Sequence, residues 1–137
     1  LTINLVVGAQ DSNTLNKLSG IIDDRLIVHK NINYMSKLMY EADIFVGASG
    51  STTWERCSLY LPSIVCIVAD NQKLIASNLE EHGAVFVWKN MKELKKCFSR
   101  IAQSPNLYKK MQIKSGEVCD AEGVYRVTRK ITESLRG

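Results

Sequence analysis

One stretch of this chain concentrates residues that could do chemistry. An apolar run, Ile44-Phe45-Val46, gives way to Gly47-Ala48-Ser49-Gly50-Ser51-Thr52-Thr53-Trp54-Glu55. Small residues and hydroxyls gather where a strand is expected to turn into a helix. Glycine there permits close backbone approach and positive φ, while free N–H groups and the positive end of a helix dipole favour an anion. A phosphate is the natural guest. The same residues also fit a structural role, because Thr52-x-x-Glu55 has the spacing of a capping box, in which hydroxyl and carboxylate satisfy backbone N–H groups at a helix start. Spacing alone leaves both roles open, and they can coexist. The stretch matches neither a Walker A loop nor a G-x-G-x-x-G fingerprint, so ATP and dinucleotides lose their main support.

The other groups with chemical potential are sparse. Cys57, Cys66, Cys97 and Cys119 form no C-x-x-C pair, and His29 and His82 complete no zinc pattern with them. Neither a metal nor a cofactor is implied. Cys66 lies in an apolar run and reads as a buried small hydrophobe. Unpaired cysteines fit a reducing, cytoplasmic setting.

The elements that must position the loop follow from periodicity. Short apolar runs at Thr2 to Val7, Arg25 to His29, Asp43 to Gly47, Ser63 to Val68 and Ala84 to Trp88 read as strands. Between them, Leu15, Leu18, Ile21 and Ile22 recur at helical spacing, as do Met35, Leu38, Met39 and Ala42. A helix is expected from about Ser51 to Leu61, and another through Leu74, Ile75, Asn78, Leu79 and His82, stopped by Gly83. Helices at Met91 to Gln103, about Pro105 to Lys114, and Ala121 to Leu135 finish the chain. Unbroken apolar strands alternating with helices predict an α/β fold, a Rossmann-like doubly wound parallel sheet. Ligands of such sheets sit at the C-terminal strand ends, which is where the hydroxyl-rich loop falls.

The chain has 137 residues, 45% hydrophobic and 23% charged, which suits a single domain and excludes wholesale disorder. No apolar run approaches the roughly 18 residues needed to span a bilayer. The net charge of +4 is unevenly spread: residues 1–88 carry −3 and residues 89–137 carry +7. Lys92, Lys95, Lys96, Arg100, Lys109, Lys110 and Lys114 alternate with apolar residues at helical spacing, the pattern of a solvated helix face. Nucleic-acid binding would want a denser basic stripe or interleaved aromatics, and is not expected. The chain begins without Met and in mid-strand, and is expected to be a piece of a longer protein.

The string Ala42-Asp43-Ile44-Phe45-Val46-Gly47-Ala48-Ser49-Gly50-Ser51-Thr52-Thr53-Trp54-Glu55-Arg56-Cys57, followed by Leu61-Pro62-Ser63 and Ala69-Asp70-Asn71-Gln72, closely resembles a known family. It is similar to the C-terminal domain of the UDP-sugar hydrolase of pseudaminic acid biosynthesis, a relative of the MurG-type GT-B glycosyltransferases. Members commonly have Gly before Leu-Pro-Ser; Tyr60 stands there in this chain.

The resemblance implies the C-terminal half of a GT-B fold that binds a UDP-sugar, a 2,4-diacetamido-2,4,6-trideoxyhexose in the hydrolase. Uracil would be held by the loop at Asn31-Ile32, largely through backbone groups. Ser49, Gly50, Ser51 and Thr52 would surround the diphosphate, Glu55 would accept hydrogen bonds from ribose hydroxyls, and Asn71 and Gln72 would contact the sugar or distal phosphate. For Asn71 the competing role is helix N-capping. The family's proposed catalytic base is a histidine of the N-terminal domain, so no catalytic residue is expected in this chain, and His29 and His82 read as structural. The partners implied are a UDP-sugar and the N-terminal domain; the chain alone is expected to bind without turning over. The alternatives are the equivalent domain of a glycosyltransferase, a module fused to an acylneuraminate cytidylyltransferase, and a degenerate module that only recognises a nucleotide-sugar or a protein.

Overall fold

The computed structural model describes residues 1–8 and 23–136. The helix expected on Leu15, Leu18, Ile21 and Ile22 lies outside the described residues. The chain divides into two compact units, Leu1–Leu38 and Met39–Gly137.

In the first unit β1 (Ile3–Val7) and β2 (Leu26–Lys30) pair in parallel, with Ile3 opposite Leu26 and Val7 opposite Lys30. Only Val7 of these ten residues is buried. Asn31 turns the chain after β2 with φ 46°, a left-handed conformation that asparagine tolerates. Both ring nitrogens of His29 are engaged, Nε2 with Asn4 Oδ1 at 2.8 Å and Nδ1 with Tyr34 Oη at 3.2 Å. Helix α1 (Met35–Glu41) carries the expected Met35, Leu38 and Met39, of which Met39 is buried; the division between the units runs through it.

The second unit begins its sheet with β3 (Phe45–Ala48) and continues through α2 (Thr53–Ser58), β4 (Ser63–Cys66), a 3₁₀ turn (Asp70–Gln72), α3 (Lys73–His82) and β5 (Val85–Val87). Strand order is β3-β4-β5, all parallel, with Phe45 opposite Ser63 and Ser63 opposite Val85. Helices α4 (Met91–Ala102), α5 (Pro105–Val118) and α6 (Gly123–Arg136) follow. Alternation of side chains along β4 sends Ile64 and Val65 to opposite faces. Ile64 packs with Ile101 of α4 and Met111 of α5; Val65 packs with Cys57 of α2 and Leu79 of α3. The middle strand is therefore covered on both faces, as its unbroken apolar sequence requires.

Helix boundaries follow local chemistry. Asn90 Oδ1 accepts from Glu93 N at 3.0 Å, Ser104 Oγ accepts from Leu107 N at 3.3 Å, and Gly83, at φ 85°, closes α3. The end of α2 is less ordinary. Leu61 N donates to Arg56 O and Tyr60 N donates to Cys57 O, both at 3.0 Å, the paired bonds of a Schellman motif. That motif wants a left-handed residue, usually glycine, and Tyr60 supplies it at φ 57°. Its ring lies against Gly116 of α5, so close that a Cβ on Gly116 would fall 2.0 Å from Tyr60 Cε1. Tyr60 thus closes the helix with the geometry a glycine would give, and a missing side chain on α5 makes room for its ring.

Cys66, expected to be buried, is half-buried, and its Sγ donates to Gly47 O at 3.6 Å. The lysine-rich faces of α4 and α5 are exposed as expected, apart from the half-buried Lys114. Among the described residues no helix is long and apolar enough to cross a membrane.

Candidate functional site

The turn between β3 and α2 stands at the C-terminal end of β3. Ser49 N donates to Cys66 O at 2.9 Å, extending the ladder one residue beyond the strand, and Thr53 N donates to Gly50 O at 3.0 Å, closing the turn. Between these two fixed points, the N–H groups of Gly50, Ser51 and Thr52 donate to no acceptor among the described residues. Three adjacent backbone donors are thus left without a partner inside the fold, groups from which an anion could accept. Ser49 Oγ is buried beside them and also lacks a partner.

The capping box is not formed. A Thr cap accepts from the helix N–H groups when its backbone is extended, whereas Thr52 sits at φ −65°, ψ −4° and makes no side-chain cap bond. Its hydroxyl points to a different donor: Arg56 Nη1 donates to Thr52 Oγ1 at 3.0 Å. Glu55 is exposed and its carboxylate accepts no hydrogen bond among the described residues, so it is not consumed by the fold. The helix-dipole contribution is small as well, because α2 has only six residues. Glycine's freedom of φ is not what the turn uses either; among the described residues only Gly83 is a glycine at positive φ.

Arg56 is the residue that reading the sequence missed. It is 1% exposed, the one buried charged side chain among the described residues. Nη2 donates to Thr53 Oγ1 at 2.9 Å, Nη1 reaches Ala48 O at 3.5 Å as well as Thr52, and Nε has no partner. The guanidinium lies 4.0 Å from the centroid of the Phe45 ring. Phe45 in turn folds over Gly47, two residues along the same strand face, where a Cβ would be 2.6 Å from its Cζ. Burial pulls the Arg56 guanidinium down to about 10, so it remains a cation at neutral pH. The available signal was the helical spacing of Thr52, Thr53 and Arg56, which sets both hydroxyls one turn behind the arginine.

The second loop comes to the first through Gln72. Val68 N donates to Gln72 Oε1 at 3.1 Å, which aims the amide so that Nε2 lies 3.9 Å from the place a Gly50 Cβ would occupy. Asn71 is exposed on the 3₁₀ turn and caps no helix; the residue before α3 is Gln72, without a side-chain cap bond. Ser49, Gly50, Ser51, Thr52, Glu55, Asn71 and Gln72 all belong to the second unit, on the two loops that follow adjacent strands β3 and β4. Ile32 is half-buried in the first unit, after Asn31. His82, at the end of α3, pairs with Glu117 at 3.2 Å, away from these loops in sequence and consistent with a structural role.

No family model matches the chain. The UDP-N-acetylglucosamine–N-acetylmuramyl-(pentapeptide) pyrophosphoryl-undecaprenol N-acetylglucosamine transferases of Lactococcus lactis subsp. cremoris strains MG1363 and SK11 are each 29% identical over 119 residues, covering 78% of this chain. The aligned part is 33% of each transferase, so the chain spans about a third of the length of these relatives. The crystal structure of the glycotransferase of kitacinnamycin superposes with a TM-score of 0.68 at 16% identity, over 93% of this chain and 34% of that one. The likeness fixes the fold: this is a Rossmann-like α/β domain of the kind found in a glycosyltransferase.

Proposed function

We propose that the chain is the nucleotide-sugar-binding domain of a GT-B glycosyltransferase and that the β3–α2 turn takes the diphosphate of a UDP-sugar. The observation that carries this reading is the row of unpaired N–H groups at Gly50, Ser51 and Thr52 in a turn whose two ends are bonded to a buried cation. Backbone donors and a fixed positive charge in a partly desolvated place favour phosphate oxygens over water. Ser49 Oγ adds a donor, Glu55 is free to accept from ribose hydroxyls, and Asn71 and Gln72 stand on the neighbouring loop for the sugar or the distal phosphate. Uracil recognition by backbone groups at Ile32 rests on the resemblance.

The transferase reading takes precedence over the hydrolase one because the curated similarity is to transferases, which are said to use UDP-N-acetylglucosamine. The hydrolase of a nonulosonic-acid route remains the second reading, favoured by the Ser49-Gly50-Ser51-Thr52-Thr53-Trp54-Glu55-Arg56-Cys57 string. In either case an additional domain would supply the rest of the cleft and any general base. Calorimetry with UDP and with UDP-N-acetylglucosamine tests binding, and absence of heat at about 1 mM ligand would refute it. Product analysis with the whole parent protein separates transfer to an acceptor from transfer to water.

A further inference from the structure

Arg56 is an expensive residue to bury. A guanidinium taken out of water needs hydrogen bonds and a counter-charge, and removing it from both costs several kcal/mol. Here three acceptors serve it, at Thr53, Thr52 and the more distant Ala48 carbonyl, while Nε is orphaned. It forms no ion pair among the described residues; the carboxylate that acts on it, that of Glu55, is exposed and makes no hydrogen bond or ion pair there. The aromatic face of Phe45 offsets part of the deficit but carries no net charge.

The three acceptors have a common placement. Ala48 enters the turn, and Thr52 and Thr53 leave it. One planar, five-donor group therefore ties the two ends of the turn together, and it occupies the Thr52 hydroxyl, which as a cap would have served the N–H groups of Trp54 or Glu55. The free donors of Gly50, Ser51 and Thr52 lie between the two ends that the guanidinium ties.

We propose that Arg56 is the positioning and charge-selecting residue of the β3–α2 turn: it holds the turn with its backbone donors exposed and makes the site prefer a phosphorylated ligand to its uncharged counterpart. The inference rests on the UDP-binding reading above and goes beyond it by assigning the origin of anion preference. An anion seated on the turn supplies the counter-charge that the fold withholds from Arg56.

The test compares UDP, inorganic pyrophosphate and uridine by calorimetry on the full chain and on Arg56→Met, Arg56→Lys and Thr53→Val, with circular dichroism to check folding. Arg56→Met should weaken UDP and pyrophosphate by about tenfold or more and leave uridine within twofold, because only the charged ligands feel the lost cation. Arg56→Lys should recover part of the affinity, keeping the charge but not the fork. A folded Arg56→Met that binds UDP as the parent does, or loses UDP and uridine in parallel, overturns the proposal. Where Arg56→Met fails to fold, Thr53→Val decides: it removes one acceptor from the guanidinium without touching the turn's own donors. A loss confined to the phosphorylated ligands supports the assignment, and no loss or an equal loss of uridine overturns it. If the parent chain binds pyrophosphate but not UDP, the nucleotide-sugar reading fails while the Arg56 comparison is read on pyrophosphate; if it binds neither, both fall.

Discussion

Replacing Gly47 with alanine should unseat the stack under the turn. The added Cβ would lie 2.6 Å from Cζ and 2.9 Å from Cε1 of Phe45. Ordinary carbon contacts are about 3.5–4.0 Å, so the ring edge must retreat by roughly 1 Å. The Arg56 guanidinium, 4.0 Å from the ring centroid and buried, stands on that ring. Overpacking of this kind costs about 1–3 kcal/mol, and a desolvated cation–π contact is worth about 2 kcal/mol. With part of the contact retained, a net loss of about 3 kcal/mol is expected, or about 10 °C in Tm at roughly 3 °C per kcal/mol for a chain of this size. Thermal and urea unfolding followed by circular dichroism measure it. The sharper check is a double-mutant cycle: in a Phe45→Leu background the alanine should cost less by about 1–2 kcal/mol. A Gly47→Ala loss under about 0.5 kcal/mol, the range of surface substitutions, would mean that the ring swings aside freely and the stack is not rigid. Additivity of the two substitutions would refute the coupling itself.

The remaining expectations are smaller in scale. Gly50→Ala should leave Tm nearly unchanged, because its Cβ would meet only Gln72 Nε2 at 3.9 Å, yet weaken UDP binding by crowding the turn; a calorimetric Kd equal to the parent's would remove the turn from the ligand site. Glu55→Gln should likewise be neutral to stability within about 0.5 kcal/mol, having no internal bond to lose, while lowering affinity for UDP; if thermal unfolding shows a large loss instead, Glu55 is a structural residue after all. Tyr60→Gly should be more stable than Tyr60→Ala by about 1 kcal/mol, since both lose the ring on Gly116 but only alanine keeps the left-handed penalty; equal urea midpoints would contradict the Schellman geometry. Burial pushes the Cys57 thiol from its ordinary 9.0 up to about 11, so its share of stability is full below about 9 and lost as pH rises toward 11. Mass mapping after iodoacetamide at about pH 8 should find Cys57 unmodified in the folded chain and modified in urea; rapid labelling of the native protein would show the site to be open.

Much of this protein is written locally. Apolar runs alternating with helical periodicities mark strands β1 to β5 and the described helices, because an unbroken apolar run or one apolar helix face is a pattern each segment carries by itself; cover on both faces is met by β4, whereas β1 and β2 bury only Val7. Gly83 and the Ser104-Pro105 pair end and start helices through backbone chemistry confined to a few residues. The hydroxyl-rich segment from Ser49 to Glu55 announces a polar turn at a strand end for the same reason. What such local rules cannot decide is which partner a versatile group takes. Thr52 and Glu55 have capping-box spacing, but the Thr52 hydroxyl goes to Arg56 because Phe45, lying over Gly47, holds the guanidinium within reach. Gly50 gains its significance from Gln72, which arrives beside it only when β3 and β4 pair. Tyr60 can replace a glycine because α5 brings Gly116 against its ring. In each case a hydrogen-bonding or packing choice is settled by groups from another strand or helix, and the free energies that separate the alternatives exist only once the tertiary fold has removed water from between them.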